Sequence, residues 1–141
     1  LGARTIPFKE INFSKAEISI QQKNFEYYSS PILNQYNFKH AYFTKSSSEK
    51  FLRLLGNHFN KNSVNCVSNQ IHSNLVSYGS DSPIVSKTEA DGLVGNKCNQ
   101  NLWVYTADCM PILFADKSTR NVAALHCGRK GLEKKKNKKF S

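Results

Sequence analysis

The chain has 141 residues, 39% of them hydrophobic, which suits one domain with a sizeable core. No stretch reaches the roughly 20 apolar residues of a membrane span. The opening Leu1-Gly2-Ala3-Arg4 has neither an initiator Met nor the apolar run of a signal peptide, so the expectation is a cytoplasmic protein with no membrane partner. The net charge of +10 points to polyanions at first sight, but residues 129–141 hold seven Lys or Arg and one Glu, a local balance of +6 that leaves +4 for the preceding 128 residues. A solvated basic run explains this better than a nucleic-acid surface, and no specific nucleic-acid partner is expected.

In chain order, Ile11-Asn12-Phe13 and Ile18-Ser19-Ile20 alternate as short strands do, and Asn37 to Thr44 reads as an aromatic-rich strand. Ser46 and Glu49 have the spacing of a capping box. Phe51, Leu52, Leu54 and Leu55 then form an apolar helical face, which Gly56 is expected to end, with loop from Asn57 to Ser63. Val64 to Ile71 reads as a strand delivering His72 at its end, and Asp81-Ser82-Pro83 as a turn. Leu102 to Thr106, Pro111 to Ala115 and Val122 to His126 are further strands, the last two joined by the polar turn Asp116 to Asn121. Many strands with few helices predict an α+β fold over residues 1–132, followed by a basic disordered tail over 133–141.

The four cysteines, Cys66, Cys98, Cys109 and Cys127, contain no C-x-x-C pair, which excludes a zinc ribbon or a thioredoxin-type motif. Chemistry must therefore combine a single thiolate with other side chains. If Ala115 and Val122 pair across their turn, position 111 faces 126 and position 109 faces 128. That register puts Cys109 and His126 at the open end of one hairpin, near enough to share a metal or to act as nucleophile and base. Asp108, next to Cys109, is placed to orient a His or to accept a proton. His72 ends another strand, and its spacing alone does not join it to the pair. His40 and His58 are read as structural.

Thr106-Ala107-Asp108-Cys109-Met110-Pro111 closely resembles the T-A-D-C-x-P motif of the YfiH-like family, also described as a multicopper polyphenol oxidase or laccase domain. Gln70-Ile71-His72, Ala90-Asp91-Gly92-Leu93-Val94 and Val122-Ala123-Ala124-Leu125-His126-Cys127-Gly128 resemble further segments of that family, as does His40 to Lys45. The resemblance implies a YfiH-like fold with a mixed sheet core, of which this is the N-terminal part. It also implies one zinc held by His72, Cys109 and His126. The implied activities are phosphorolysis of adenosine, inosine or methylthioadenosine, and adenosine deamination, with a purine nucleoside and phosphate as small-molecule partners. In this chain the family's Trp-Arg pair after the glycine is Arg129-Lys130, and these cations are the phosphate-binding candidates. The family's domain continues well beyond this point, so the resemblance further implies a chain cut short in its Lys/Asn run, with an incomplete pocket.

Two other functions compete. One is a metal-free cysteine hydrolase using Cys109, His126 and Asp108 on peptidoglycan precursors. The other is an inactive truncated fragment with weak polyanion binding. Copper is the less attractive metal, because multicopper chemistry needs several His-rich sites and the sequence holds four His.

Overall fold

A computed structural model describes residues 13–44 and 49–130, in two compact units that divide between Lys45 and Ser46. Ser46 of the expected capping box, the strand reading at Ile11-Asn12 and the basic tail lie outside the described residues.

In the first unit, β1 (Ser14–Ile20) and β2 (Lys23–Ser29) pair antiparallel, with Ile18 opposite Phe25. Gln21 and Gln22, both at positive φ (51° and 63°), make the two-residue turn whose twist matches a hairpin. Alternation buries Ile18 and Phe25. A short helix absent from the sequence reading, α1 (Pro31–Gln35), follows, with Pro at its start where a missing N–H costs nothing. The strand expected over Asn37 to Thr44 shrinks to β3 (Tyr42–Phe43), paired with β2. Asn37 takes a left-handed φ of 59° to close α1, and that turn breaks the extended run. His40 is structural: one ring nitrogen accepts from the Ser30 N–H at 2.7 Å, and the other donates to the Phe38 carbonyl at 2.8 Å.

The second unit begins with α2 (Glu49–Phe59). Leu52 and Leu55, three residues apart, bury its apolar face. The helix runs through Gly56 instead of ending there, so His58 lies in its last turn. Gly56 serves close packing: a Cβ there would collide with Asn65 Oδ1 and lie 2.7 Å from Asn101 Nδ2. Those two side chains sit on β4 (Val64–Val67) and β7 (Gln100–Trp103), a parallel pair in which Trp103 Nε1 donates to Asn65 Oδ1 at 2.9 Å. Leu52, Val67 and Ile84 form a core cluster with Trp103 packed on it.

The remaining strands, β5 (Val76–Tyr78), β6 (Gly92–Val94), β8 (Met110–Ala115) and β9 (Val122–Cys127), form a mixed sheet in the order β5-β6-β9-β8. Its interior strand β6 carries the fully buried Leu93. β5 is parallel to β6, and the other pairings are antiparallel. Few helices and mixed sheets make the fold α+β.

Candidate metal centre

The β8–β9 hairpin sets the first half of the site. Asp116 shapes its turn by accepting from the Ser118 N–H at 2.9 Å and the Thr119 hydroxyl at 2.8 Å. These bonds hold its carboxyl below the ordinary carboxylate range, the Thr119 hydroxyl contributing most. The turn fixes the register Ala115 to Val122 through Pro111 to His126. One step beyond the ladder, Cys109 meets Gly128: a Cβ on Gly128 would lie 3.3 Å from Cys109 Sγ and 3.5 Å from His72 Cδ2.

His72 arrives differently from the sequence expectation. The strand β4 stops at Val67, and residues 68–71 are irregular, tied by the bridge between Asn69 and Glu89. His72 itself sits in the left-handed region at φ 57°. A non-glycine residue there carries about 1 kcal/mol of strain, so its surroundings must hold it.

The holder is Asp91, buried at the entrance to β6. Its carboxylate accepts from the backbone N–H of Ile71 (3.3 Å), His72 (3.0 Å) and Ser73 (2.7 Å), and from the Ser73 hydroxyl (2.6 Å). Oδ1 also lies 2.9 Å from His126 Nδ1, while the Asp91 carbonyl accepts from the His126 backbone N–H at 2.7 Å. Burial alone would raise the Asp91 pKa, but the bonds from Ser73, His126 and Ile71 outweigh it and lower the carboxyl below its ordinary value. A carboxylate accepts, so Nδ1 is the donor in this contact and Nε2 is the ring nitrogen left available to a ligand.

The result is a three-donor cluster. His72, Cys109 and His126 each offer one ligand atom, and these atoms lie within 4.8 Å of one another. The two imidazole rings meet edge to face, centroids 5.1 Å apart. Tetrahedral zinc with bonds near 2.0–2.3 Å sets its donors about 3.3–3.6 Å apart, so the cluster fits after a contraction of about an ångström. His72 is exposed, Cys109 half-buried and His126 buried, which leaves the site open on one side. That side is a cleft of about 650 Å³ lined by Ile71, His72, Cys109, Gly128, Arg129 and Lys130. The two cations named from the sequence thus share a cleft with two of the three donors.

Asp108 is exposed, and the carboxylate on the His126 ring belongs to Asp91. Sequence reasoning gave Asp91 no role. The available signal was an acidic residue at the head of the apolar run Gly92-Leu93-Val94, since a buried carboxylate must be paired. Cys127 is Met110's partner in the ladder and is not among the converging donors, and Cys66 is a buried core residue whose thiol pKa is raised by burial.

Known proteins resemble this chain in sequence and fold. A purine nucleoside phosphorylase of Clostridium acetobutylicum is 40% identical over 81 residues, covering 57% of this chain and 33% of the relative. One from Rickettsia conorii is 32% identical over 101 residues, covering 67% of this chain and 41% of the relative. The chain thus spans about a third to two fifths of the length of these curated relatives. A crystal structure of a Neisseria meningitidis protein of the DUF152 family matches 86% of this chain and 52% of its own with a TM-score of 0.53 at 24% identity, a likeness of fold. The family model described as multi-copper polyphenol oxidoreductase laccase matches residues 28–139, and the chain belongs to this family, also known as YfiH or DUF152.

Proposed function

We propose that this chain carries the zinc-holding part of a purine-nucleoside enzyme whose reaction is phosphorolysis. The observation that carries the reading is the convergence of His72, Cys109 and His126 on one point beside a cleft flanked by Arg129 and Lys130. The names of the curated relatives support the substrate class. Two imidazoles, one thiolate and an open side suit zinc better than copper. Zinc held there supplies Lewis acidity. Cys109 would hold the metal as a thiolate, and His126 would hold it through Nε2 because Asp91 occupies Nδ1. Arg129 and Lys130 hold the phosphate dianion against the sugar carbon it attacks. Phosphate displaces the purine base, which leaves with a proton from solvent; Asp108, exposed beside Cys109 in the chain, would take up a proton only in the alternative reaction, deamination by water.

The cysteine-hydrolase reading accounts for Cys109 and His126, and the buried Asp91 would complete its triad. It gives no role to His72, whose strained backbone is held so that its ring joins the other two donors.

Metal analysis of the purified protein, combined with purine-nucleoside turnover in the presence and absence of phosphate, tests the proposal. One zinc per chain and release of free base only with phosphate support it. Phosphate-independent conversion of adenosine to inosine would replace phosphorolysis with deamination. A metal-free active protein would overturn the zinc reading.

A further inference from the structure

Asp91 stands behind the donor cluster without joining it, and its bonds reach both parts of the chain that supply histidines. One oxygen takes the His72 N–H at 3.0 Å and faces the His126 Nδ1 at 2.9 Å, while the other takes the Ser73 N–H and hydroxyl at 2.7 and 2.6 Å. Ile71, His72 and Ser73 are consecutive, so three successive amides wrap this one carboxylate. Such a wrap is what holds His72 at φ 57°, a conformation its own backbone disfavours. The same carboxylate selects the His126 tautomer. With the proton on Nδ1, the Nε2 lone pair is available to a metal; with the proton on Nε2, it is not. His72 and His126 lie 54 positions apart in the chain, and Asp91 is the group bonded to both.

We propose that Asp91 is the positioning residue of this metal site, coupling the backbone placement of His72 to the tautomer of His126 through a single carboxylate. The inference rests on the zinc reading above. It makes Asp91 a determinant of metal affinity although it supplies no ligand. Ser73 belongs to the same device, because its hydroxyl, at 2.6 Å, gives the shortest of the bonds that fix the carboxylate. Asn in place of Asp91 keeps the volume but turns one oxygen into a donor, which opposes the N–H groups now aimed at it. It also removes the charge that favours a proton on Nδ1.

The test measures zinc and cobalt(II) affinity by competition with a chromophoric chelator for wild type, Asp91→Asn, Ser73→Ala and, as a control at an exposed carboxylate of the first unit, Glu17→Gln. Imidazole 15N shifts of the metal-free wild type, assigned to His126 by comparison with His126→Gln, report its tautomer. The expected result is a loss of about ten- to a hundred-fold in affinity for Asp91→Asn, in the range typical of groups that orient metal ligands. Ser73→Ala should lose less, Glu17→Gln should match wild type, and His126 should be protonated at Nδ1. A folded Asp91→Asn protein binding as tightly as wild type overturns the coupling. If that variant does not fold, the wild-type tautomer decides, and a proton on Nε2 overturns it. A folded wild type that binds neither metal overturns the zinc reading itself, an outcome distinct from these.

Discussion

Cys109 and Gly128 face each other one step past the β8–β9 ladder, so close that a Cβ on Gly128 would sit 3.3 Å from the Cys109 sulfur. Gly128 has no positive φ, so its lack of a side chain serves space and not backbone freedom. Gly128→Ala should therefore fold normally but push Cys109 and His72 apart. A displacement of a few tenths of an ångström at a preorganised site is expected to weaken zinc binding by about ten-fold. Chelator competition alongside a thermal melt checks this; unchanged affinity would show that the thiolate has room to move.

The two neighbouring thiols should behave differently. Cys109 offers a donor to the cluster, whereas Cys127 does not, because successive β9 side chains alternate between faces and His126 takes the inward one. Cys109→Ala should abolish stoichiometric zinc, and His72→Ala or His126→Ala should weaken it strongly. Cys127→Ala should retain one zinc per chain. Elemental analysis of the four variants decides, and zinc lost with Cys127 would refute the assignment.

Parts of this arrangement were legible in the sequence and others were not. The Asp116 to Asn121 turn fixes the hairpin register, so the facing of positions 111 with 126 follows from counting, and Cys109 lands near His126 as expected. The strand expected to run to His72 stops at Val67, because Ser68-Asn69-Gln70 are weak strand formers, and the chain reaches His72 in a left-handed conformation that no local pattern announces. Asp91 went unassigned because its partners, Ser73 and His126, lie 18 and 35 positions away. Gly56 misled in the opposite sense. Glycine commonly ends a helix, but here the need for α2 to approach Asn65 and Asn101 outweighs its poor helix propensity.

That close approach gives a stability prediction. Gly56→Ala raises helix propensity by about 1 kcal/mol, yet its new methyl meets Asn65 and Asn101, which are held by each other and by Trp103. Overpacking of this kind costs about 1–3 kcal/mol, so the net effect should be destabilising. Leu55→Ala, at a fully buried position on the same helix, should cost about 2–5 kcal/mol. Urea titrations of both variants check the order; a stabilised Gly56→Ala would mean that the asparagine network yields.

Acid sensitivity should trace in part to the hairpin turn. The Asp116 carboxyl is lowered by bonds from Thr119 and Ser118, so its folded pKa lies below the unfolded value near 3.9. A depressed carboxyl stabilises the fold above the unfolded pKa, and that contribution fades as pH falls through the folded one. The stability difference between wild type and Asp116→Ala should hold constant from pH 7 to about 5 and shrink below about 4. Denaturation midpoints across that range test it, and a difference independent of pH would assign the effect to turn geometry alone.

The cleft cations give the last prediction. Arg129 and Lys130 follow Gly128 directly and line the cleft with His72 and Cys109, yet neither belongs to the donor cluster. If the proposed phosphorolysis holds, their removal should separate phosphate binding from metal binding. A charge-assisted bond to a phosphate oxygen contributes about 1.5–3 kcal/mol when sheltered and less in an open cleft, so Lys130→Ala should raise the phosphate KM by roughly three- to thirty-fold. Zinc content should stay at one per chain, and the nucleoside KM should move little. Lys130→Arg replaces a point charge with a planar fork that meets two phosphate oxygens at once, so it should bind phosphate at least as well as Lys130. Added salt should weaken phosphate binding in the wild type more than in Lys130→Ala. Steady-state kinetics with phosphate as the varied substrate measures all of this. A Lys130→Ala enzyme with unchanged phosphate KM would remove Lys130 from the phosphate site and leave Arg129 to carry it. If the Arg129→Ala, Lys130→Ala double variant also kept its phosphate KM, the anion would have to bind elsewhere in the protein.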